Sequence, residues 1–176
     1  MQERVEYTRA GRKVTVSDKV IDKIMKGVSV VTTKAGDKVN GMTASWFTRV
    51  SEDPVLVMIS VWKENFSHAL IREGGAFAIN ILADGQKEMG LHFGRQSGRD
   101  MDKFQGIEWE GKKTGSPILK DCLGFMDCEV VGSLEAGDHT IFVGNVLEAG
   151  FRGKQEPLIY DRRDYPYLSE EEIRKP

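Results

Sequence analysis

Long apolar runs are missing from this chain. The longest unbroken one is Val55–Ile59, far short of the roughly 20 residues a membrane-spanning helix needs, so no membrane partner is expected. The first residues, Met1 to Arg9, mix charges of both signs and contain no apolar h-region; no secretory signal is expected there, and a cytoplasmic location is. Cysteine is scarce: Cys122 and Cys128 stand five residues apart in a strand-like stretch. That spacing fits neither a C-x-x-C redox pair nor a zinc site, and buried free thiols are expected. Three dispersed histidines add no metal-ligand pattern. A net charge of −2 offers no electrostatic reason for a nucleic-acid partner. No G-x-G-x-x-G follows a strand, and H-E-x-x-H, G-x-S-x-G and P-loop signatures are absent, which argues against a Rossmann fold, a zinc hydrolase and a nucleotide hydrolase. Any chemistry must come from a bound cofactor.

What is present suits one soluble domain spanning 1–176, with a core from about 18 to 167. Hydrophobic residues make up 40% and charged residues 30% of the 176, an ordinary globular composition and length. Neither an internal repeat nor an interior linker interrupts it.

The most informative stretch is Asn40–Ser51, which mixes small, hydroxylic and aromatic residues where a core strand would carry Val, Ile and Leu. Read as one strand, it turns Gly41, Thr43, Ser45, Phe47 and Arg49 to one face and Met42, Ala44, Trp46, Thr48 and Val50 to the other. Thr43 and Ser45 then lie about 6.6 Å apart, at about 3.3 Å per residue. This suits a flat ligand lying along small residues and hydroxyls; an ordinary barrel or edge strand is the equal alternative.

Around it, Ser17 and Gly27 bracket a short amphipathic helix over Asp18–Lys26. Val28–Thr33 reads as a strand joined by a hairpin to the central stretch, and Val55–Trp62 follows a turn at Asp53-Pro54. Short connections among these strands favour an antiparallel sheet. A helix over Ala69–Glu73 ends at Gly74-Gly75, with Asn65 or Ser67 as its cap; the same helix end is alternatively an anion site. Ala76–Leu82 is a strand, and Gly85–Phe93 a helix with Met89 and Phe93 on one face. The glycine-rich basic loop Gly94–Phe104, with Arg95, Ser97, Gly98 and Lys103, is either a phosphate cradle or a solvated loop. Cys122–Leu134 and His139–Phe151 form a long hairpin; His139, Ile141 and Val143 share a face, and His139 is either a proton-handling group or a turn residue bonded to Asp138. Leu158–Tyr160 and Tyr165–Tyr167 are apolar enough to pack back. The whole is mainly β, and a barrel or closed sandwich protects its edges.

The ordered blocks Gly27–Thr33, Asn40–Phe47, Val50–Pro54, Phe77–Leu82, Asp102-Lys103-Phe104 and Gly137-Asp138-His139 resemble the flavin reductase-like family of FMN-binding split barrels. The Thr-Ala-Ser-Trp form is closest to its flavoredoxin-like branch. The resemblance implies a six-stranded antiparallel split β-barrel with a few short helices, forming a homodimer with flavin near the dimer interface. It implies FMN, with FAD as the alternative, and NADH or NADPH as co-substrate, or else reduction by a redox partner protein. By resemblance, Thr43, Ala44, Ser45 and Trp46 line the ring and ribityl chain. Ser60, Val61, Trp62 and Lys63, with Asn65 and Ser67, approach the ribityl and phosphate groups. Arg95, Ser97, Gly98 and Lys103 close over the phosphate, and His139, as the catalytic residue, sits by the nicotinamide or the reactive edge of the flavin.

Overall fold

The computed structural model describes residues 4–9, 12–17, 20 and 23–161. The chain opens with a hairpin of β1 (Arg4–Arg9) and β2 (Arg12–Ser17). The main body is a seven-stranded sheet of β3 (Ser29–Ala35), β4 (Lys38–Ala44), β5 (Phe47–Ser51), β6 (Leu56–Trp62), β7 (Ala76–Ile81), β10 (Gly124–Ala136) and β11 (His139–Phe151). Its order is β4-β3-β7-β10-β11-β6-β5, with every pairing antiparallel. The short strands β8 (Trp109–Gly111) and β9 (Pro117–Leu119) pair with each other outside it.

The two outermost strands of that sheet, β4 and β5, are consecutive in the chain and separated only by Ser45 and Trp46. One long strand is therefore broken at those two residues, its first half pairing with β3 and its second with β6. Counted as one strand, β4 and β5 bring the total to the expected six, and their continuity closes the split barrel. Closure corrects the expected faces. Met42, Ala44 and Phe47 all pack toward the barrel core, so the alternation slips by one residue at the break and Phe47 joins Met42 instead of Thr43. A two-fold repeat cannot survive a change of pairing partner unless the connecting residues absorb the turn.

Inside the barrel, Val31, Met42, Val57, Ile59, Val61, Phe77, Ile79, Cys128 and Phe142 form one core, which Ile71 joins from α1 (Phe66–Gly74). A second core lies on the outside of β3 and β7, where Val30, Ala78, Phe93, Phe104, Ile118 and Phe125 pack beneath α2 (Lys87–Arg95) and the β9 segment. β7 is thus covered on both faces, and its one amide, Asn80, is satisfied there: Nδ2 donates to the Val30 and Pro117 carbonyls and Oδ1 accepts from Leu119 N–H. Phe77, Phe93 and Phe142 are fully buried; truncating any one to Ala costs about 3–5 kcal/mol.

The α1 boundaries follow their signals. Asn65 accepts the Ser67 N–H at 2.9 Å, and Gly75 ends the helix at φ +65°, the left-handed conformation glycine takes freely. α2 begins two residues later than expected and extends to Arg95. Of the helix expected over Asp18–Lys26, Asp18, Lys19, Ile21 and Asp22 lie outside the described residues, as does Tyr165–Tyr167; among the rest Val20 is helical and exposed, while Ile24 and Met25 are exposed and in no helix. The charged stretch Ile107–Gly115 contains β8. Both cysteines are buried free thiols, and burial pushes Cys128 up to about 12 and raises Cys122.

Close packing leaves no room at Gly144 on β11, where an added Cβ would stand 2.5 Å from Phe77 Cζ and 2.8 Å from Cys128 Cβ. Gly144→Ala should destabilise the protein by about 1–3 kcal/mol through overpacking, read as a lowered urea midpoint. An unchanged midpoint would show that the barrel interior gives way more easily than this packing requires.

Candidate functional site

β6 alternates buried Val57, Ile59 and Val61 with outward Met58, Ser60 and Trp62. β11 does the same with buried Thr140 and Phe142 and outward His139, Ile141 and Val143. In register, Trp62 stands opposite His139 and Ser60 opposite Ile141, so these residues share the outer face at one end of the barrel. The β4–β5 break brings a third element to the same place. Ser60 N–H donates to the Trp46 carbonyl at 2.9 Å, and the Trp46 ring lies 4.9 Å from the His139 ring at 37°. Trp46 remains 40% exposed, presenting a flat aromatic surface in place of a filled core position.

His139 is oriented by its neighbour, with Nδ1 2.8 Å from Asp138 Oδ1. An ionised carboxylate only accepts, so Nδ1 carries the proton in this contact and a neutral ring keeps its lone pair on Nε2. The same hydrogen bond holds the Asp138 carboxyl below its ordinary range.

A turn, Lys63–Asn65, leads from this face to the start of α1, where a second group gathers. Asn40 Nδ2 donates to the buried Ser67 Oγ at 2.8 Å. Gly98 lies against Asn40 and the Phe66 ring so closely that a side chain would overlap Asn40 Oδ1. Ser97 Oγ accepts from Arg99 N–H at 3.2 Å, and the Arg99 guanidinium donates to the Glu64 carbonyl while covering the Phe66 ring at 5.3 Å. The basic loop thus folds over the α1 N-terminus, where the helix dipole favours an anion, though Asn65 already accepts the Ser67 N–H through its side chain and the His68 N–H through its carbonyl.

Among the residues expected to bind cofactor, Ser45, Trp46, Ser60 and Trp62 come together with His139, and Asn65, Ser67, Ser97 and Gly98 come together at the helix end. Val61 points into the barrel and can contribute only backbone. Ala44 is half-buried against the barrel core, and Arg95 is exposed in the last turn of α2. Three side chains are engaged elsewhere. The Thr43 hydroxyl donates to the Gly90 carbonyl of α2. Lys63 Nζ donates to the Gly137 carbonyl at 2.8 Å and pairs with Glu135 at 2.7 Å.

Lys103 departs furthest from expectation: it lies under the basic loop, 4% exposed, and its ammonium donates to the Gly41 and Phe93 carbonyls at 2.9 Å each. His92 Nε2 meets the Lys103 carbonyl at 2.7 Å. Lys103 therefore ties α2 to β4 from inside, and desolvation lowers it from 10.5 to about 8. Asn40, Arg99 and Glu135 were absent from the expected set; their partners lie 27, 35 and 72 residues away in sequence, beyond any local pattern.

The profile of the flavin reductase like domain matches residues 21–169. This chain belongs to that family. The solved NADH:FAD oxidoreductase of Streptomyces globisporus superposes with a TM-score of 0.76 at 33% identity, covering 81% of this chain and 86% of that one. The FMN-binding protein of Thermus thermophilus, solved with bound p-hydroxybenzaldehyde, gives 0.70 at 30% identity over 73% of each chain. High molecular weight rubredoxin of Moorella thermoacetica is 34% identical over 147 residues, 81% of this chain. The chain spans 63% of that rubredoxin and 22% and 24% of two diflavin flavoproteins of Nostoc sp..

Because Lys103 is held below its unfolded value, the unfolded chain binds the extra proton between pH 8 and 10.5, so this residue's contribution to stability rises with pH across that window. The raised thiols act oppositely above pH 9, but equally in a variant that keeps them. The stability difference between the native protein and Lys103→Met should therefore climb by on the order of 1–3 kcal/mol from pH 8 to 10 in urea titrations; a flat difference would contradict the buried ammonium.

Proposed function

We propose that this chain, acting as one flavin-binding split-barrel domain, binds FMN on the outer face at Thr43–Trp46 and takes hydride to it from NADH or NADPH, passing the reducing equivalents to free flavin or a small acceptor. The observation that carries this reading is the convergence of Trp46, Ser60, Trp62 and His139 at the strand break. Named activities of similar proteins, an NADH:FAD oxidoreductase and an FMN-binding protein, support it.

The residues fit such a cofactor. Ser45 and Trp46 lie between the two strand ladders, so their backbone is available to the polar edge of a flat ring. Trp46 and Trp62 supply aromatic surface. The α1 N-terminus, with Ser97 and Gly98 above it, suits a phosphate. His139, with Nε2 directed away from Asp138, stands where it can hold a proton or orient a nicotinamide. Flavin supplies the hydride chemistry once bound; the protein's part is to hold, orient and exclude water.

A homodimer in the cytoplasm completes the reading. Leu134 (63% exposed) and Val131 (55%) on β10 form an apolar surface on the long hairpin, which a second copy would cover. No helix of the described residues is long and apolar enough to cross a membrane.

A second reading, an FMN electron carrier reduced by a partner protein, is favoured by the Trp46–His139 stack, which occupies part of the face a nicotinamide needs. Stopped-flow mixing separates the two: fast bleaching by NADH or NADPH selects the reductase, and slow or absent bleaching the carrier.

Purified protein should show a flavin absorption spectrum or acquire one with added FMN, and should then oxidise NADH or NADPH. A colourless protein that neither binds FMN nor oxidises either nucleotide would overturn the proposal. Ser45→Tyr, which fills the strand break, should weaken FMN binding at least about tenfold with the circular dichroism unchanged; undiminished affinity would move the site elsewhere.

A further inference from the structure

The hairpin tip that carries His139 is supported unequally: its β11 half pairs with β6 from His139 onward, and its β10 half has no such second ladder. β10 pairs with β7 only from Gly124 to Glu129. Beyond a bulge at Val130/Gly132, residues Val131 to Ala136 have β11 on one side and no strand on the other. Gly137, at φ +67°, makes the turn itself. A hairpin tip of this kind, one residue away from a site side chain, would ordinarily be among the most easily displaced parts of a fold.

Beside the pairing of His139 with Trp62 on β6, five contacts made by Lys63 or Glu135 hold it. Lys63 donates its backbone N–H to the Asp138 carbonyl at 3.0 Å and its ammonium to the Gly137 carbonyl at 2.8 Å. Glu135 accepts that same ammonium at 2.7 Å, and on its other oxygen accepts the Thr140 hydroxyl at 3.2 Å. Arg72 of α1 approaches Glu135 at 3.7 Å. Because Thr140 donates to Glu135, the buried His68 must donate its Nε2–H to Thr140 across their 2.8 Å contact. The carboxylate of Glu135 is therefore the point where β6, α1 and β11 meet, directly beneath the Gly137-Asp138-His139 turn.

We propose that Glu135 and Lys63 are positioning residues for His139: their clasp fixes the hairpin tip so that the imidazole stacks on Trp46 and presents its Nε2 to the site. The clasp engages the Lys63 ammonium with the turn and with Glu135, so the proposal assigns neither side chain a contact with the cofactor, and Lys63 lies beside the site through its backbone alone. Exposed ion pairs contribute little to overall stability, so their loss should leave folding nearly intact while loosening one turn. The inference rests on the proposed role of His139 in nicotinamide-dependent reduction.

The test uses Glu135→Gln, Lys63→Met and the double variant, with two independent readouts. In NMR spectra of the free protein, ring-current shifts of the His139 imidazole protons report its stacking on Trp46; His139 signals are assigned with His139→Ala and the stacking shift with Trp46→Leu. Both single variants should lose most of that shift. In turnover, each should lower kcat about tenfold with FMN affinity within about twofold, and the double variant should be no worse than the weaker single, since the residues act as a unit. Unmoved His139 signals, or additive losses that fall on FMN affinity, would overturn the proposal. If the native protein does not turn over, the proposed function fails and the imidazole shifts still decide the clasp.

Discussion

Everything in this molecule depends on one strand having to serve two edges. β4 and β5 are nearly continuous in sequence, yet their pairing partners, β3 and β6, stand at opposite ends of the sheet order. Closing the sheet covers the edges that β3 and β6 would otherwise expose, and it forces Ser45 and Trp46 out of both ladders. Backbone that leaves a ladder must find other partners or face a ligand. One such partner is present, the Ser60 N–H on the Trp46 carbonyl, and it brings Trp46 toward the rings of β6 and β11. The fold's solution to closure thus produces its most reactive-looking surface.

Burial then decides which side chains can face that surface. Polar groups that look like ligand contacts in sequence are partly engaged in construction: Thr43 anchors α2, Lys103 joins α2 to β4, and Lys63 holds the hairpin turn. A buried ammonium bonded to two carbonyls is costly to place and hard to remove. Its value lies in fixing the basic loop that follows α2, and with it Ser97 and Gly98 over the α1 N-terminus. Among the described residues no buried side-chain nitrogen or oxygen lacks a partner, so the site is a frame of satisfied groups around a small number of free faces.

Much of the architecture was legible because it is local. Asn65 before a helical run and Gly75 after it announced α1, and alternating apolar residues announced β6 and β11. The break at Ser45–Trp46 was not legible, since Thr-Ala-Ser-Trp-Phe contains neither glycine nor proline and reads as uninterrupted strand. Of the residues grouped around the break, His139 was legible as the end of a face shared with Ile141 and Val143, Trp46 leaves the face its spacing assigned because the strand breaks beside it, and Glu135 and Arg99 were hidden, because their contacts exist only once strand register and loop closure have brought distant residues together. Lys103 was misread for a related reason: a lysine in a charged, glycine-rich loop carries no local mark of burial.

Membership of the flavin reductase like family agrees with the barrel derived from pairing alone, and similar proteins include an NADH:FAD oxidoreductase, a rubredoxin and a diflavin flavoprotein. The strand break is the proposed flavin platform. Titrating isotope-labelled protein with FMN and following backbone amide shifts tests it most directly: the largest changes should fall on Thr43–Trp46, Ser60–Lys63, Ser97–Gly98 and His139. Changes confined instead to the outer side of α2, around Glu88, Leu91 and Ile107, would contradict it.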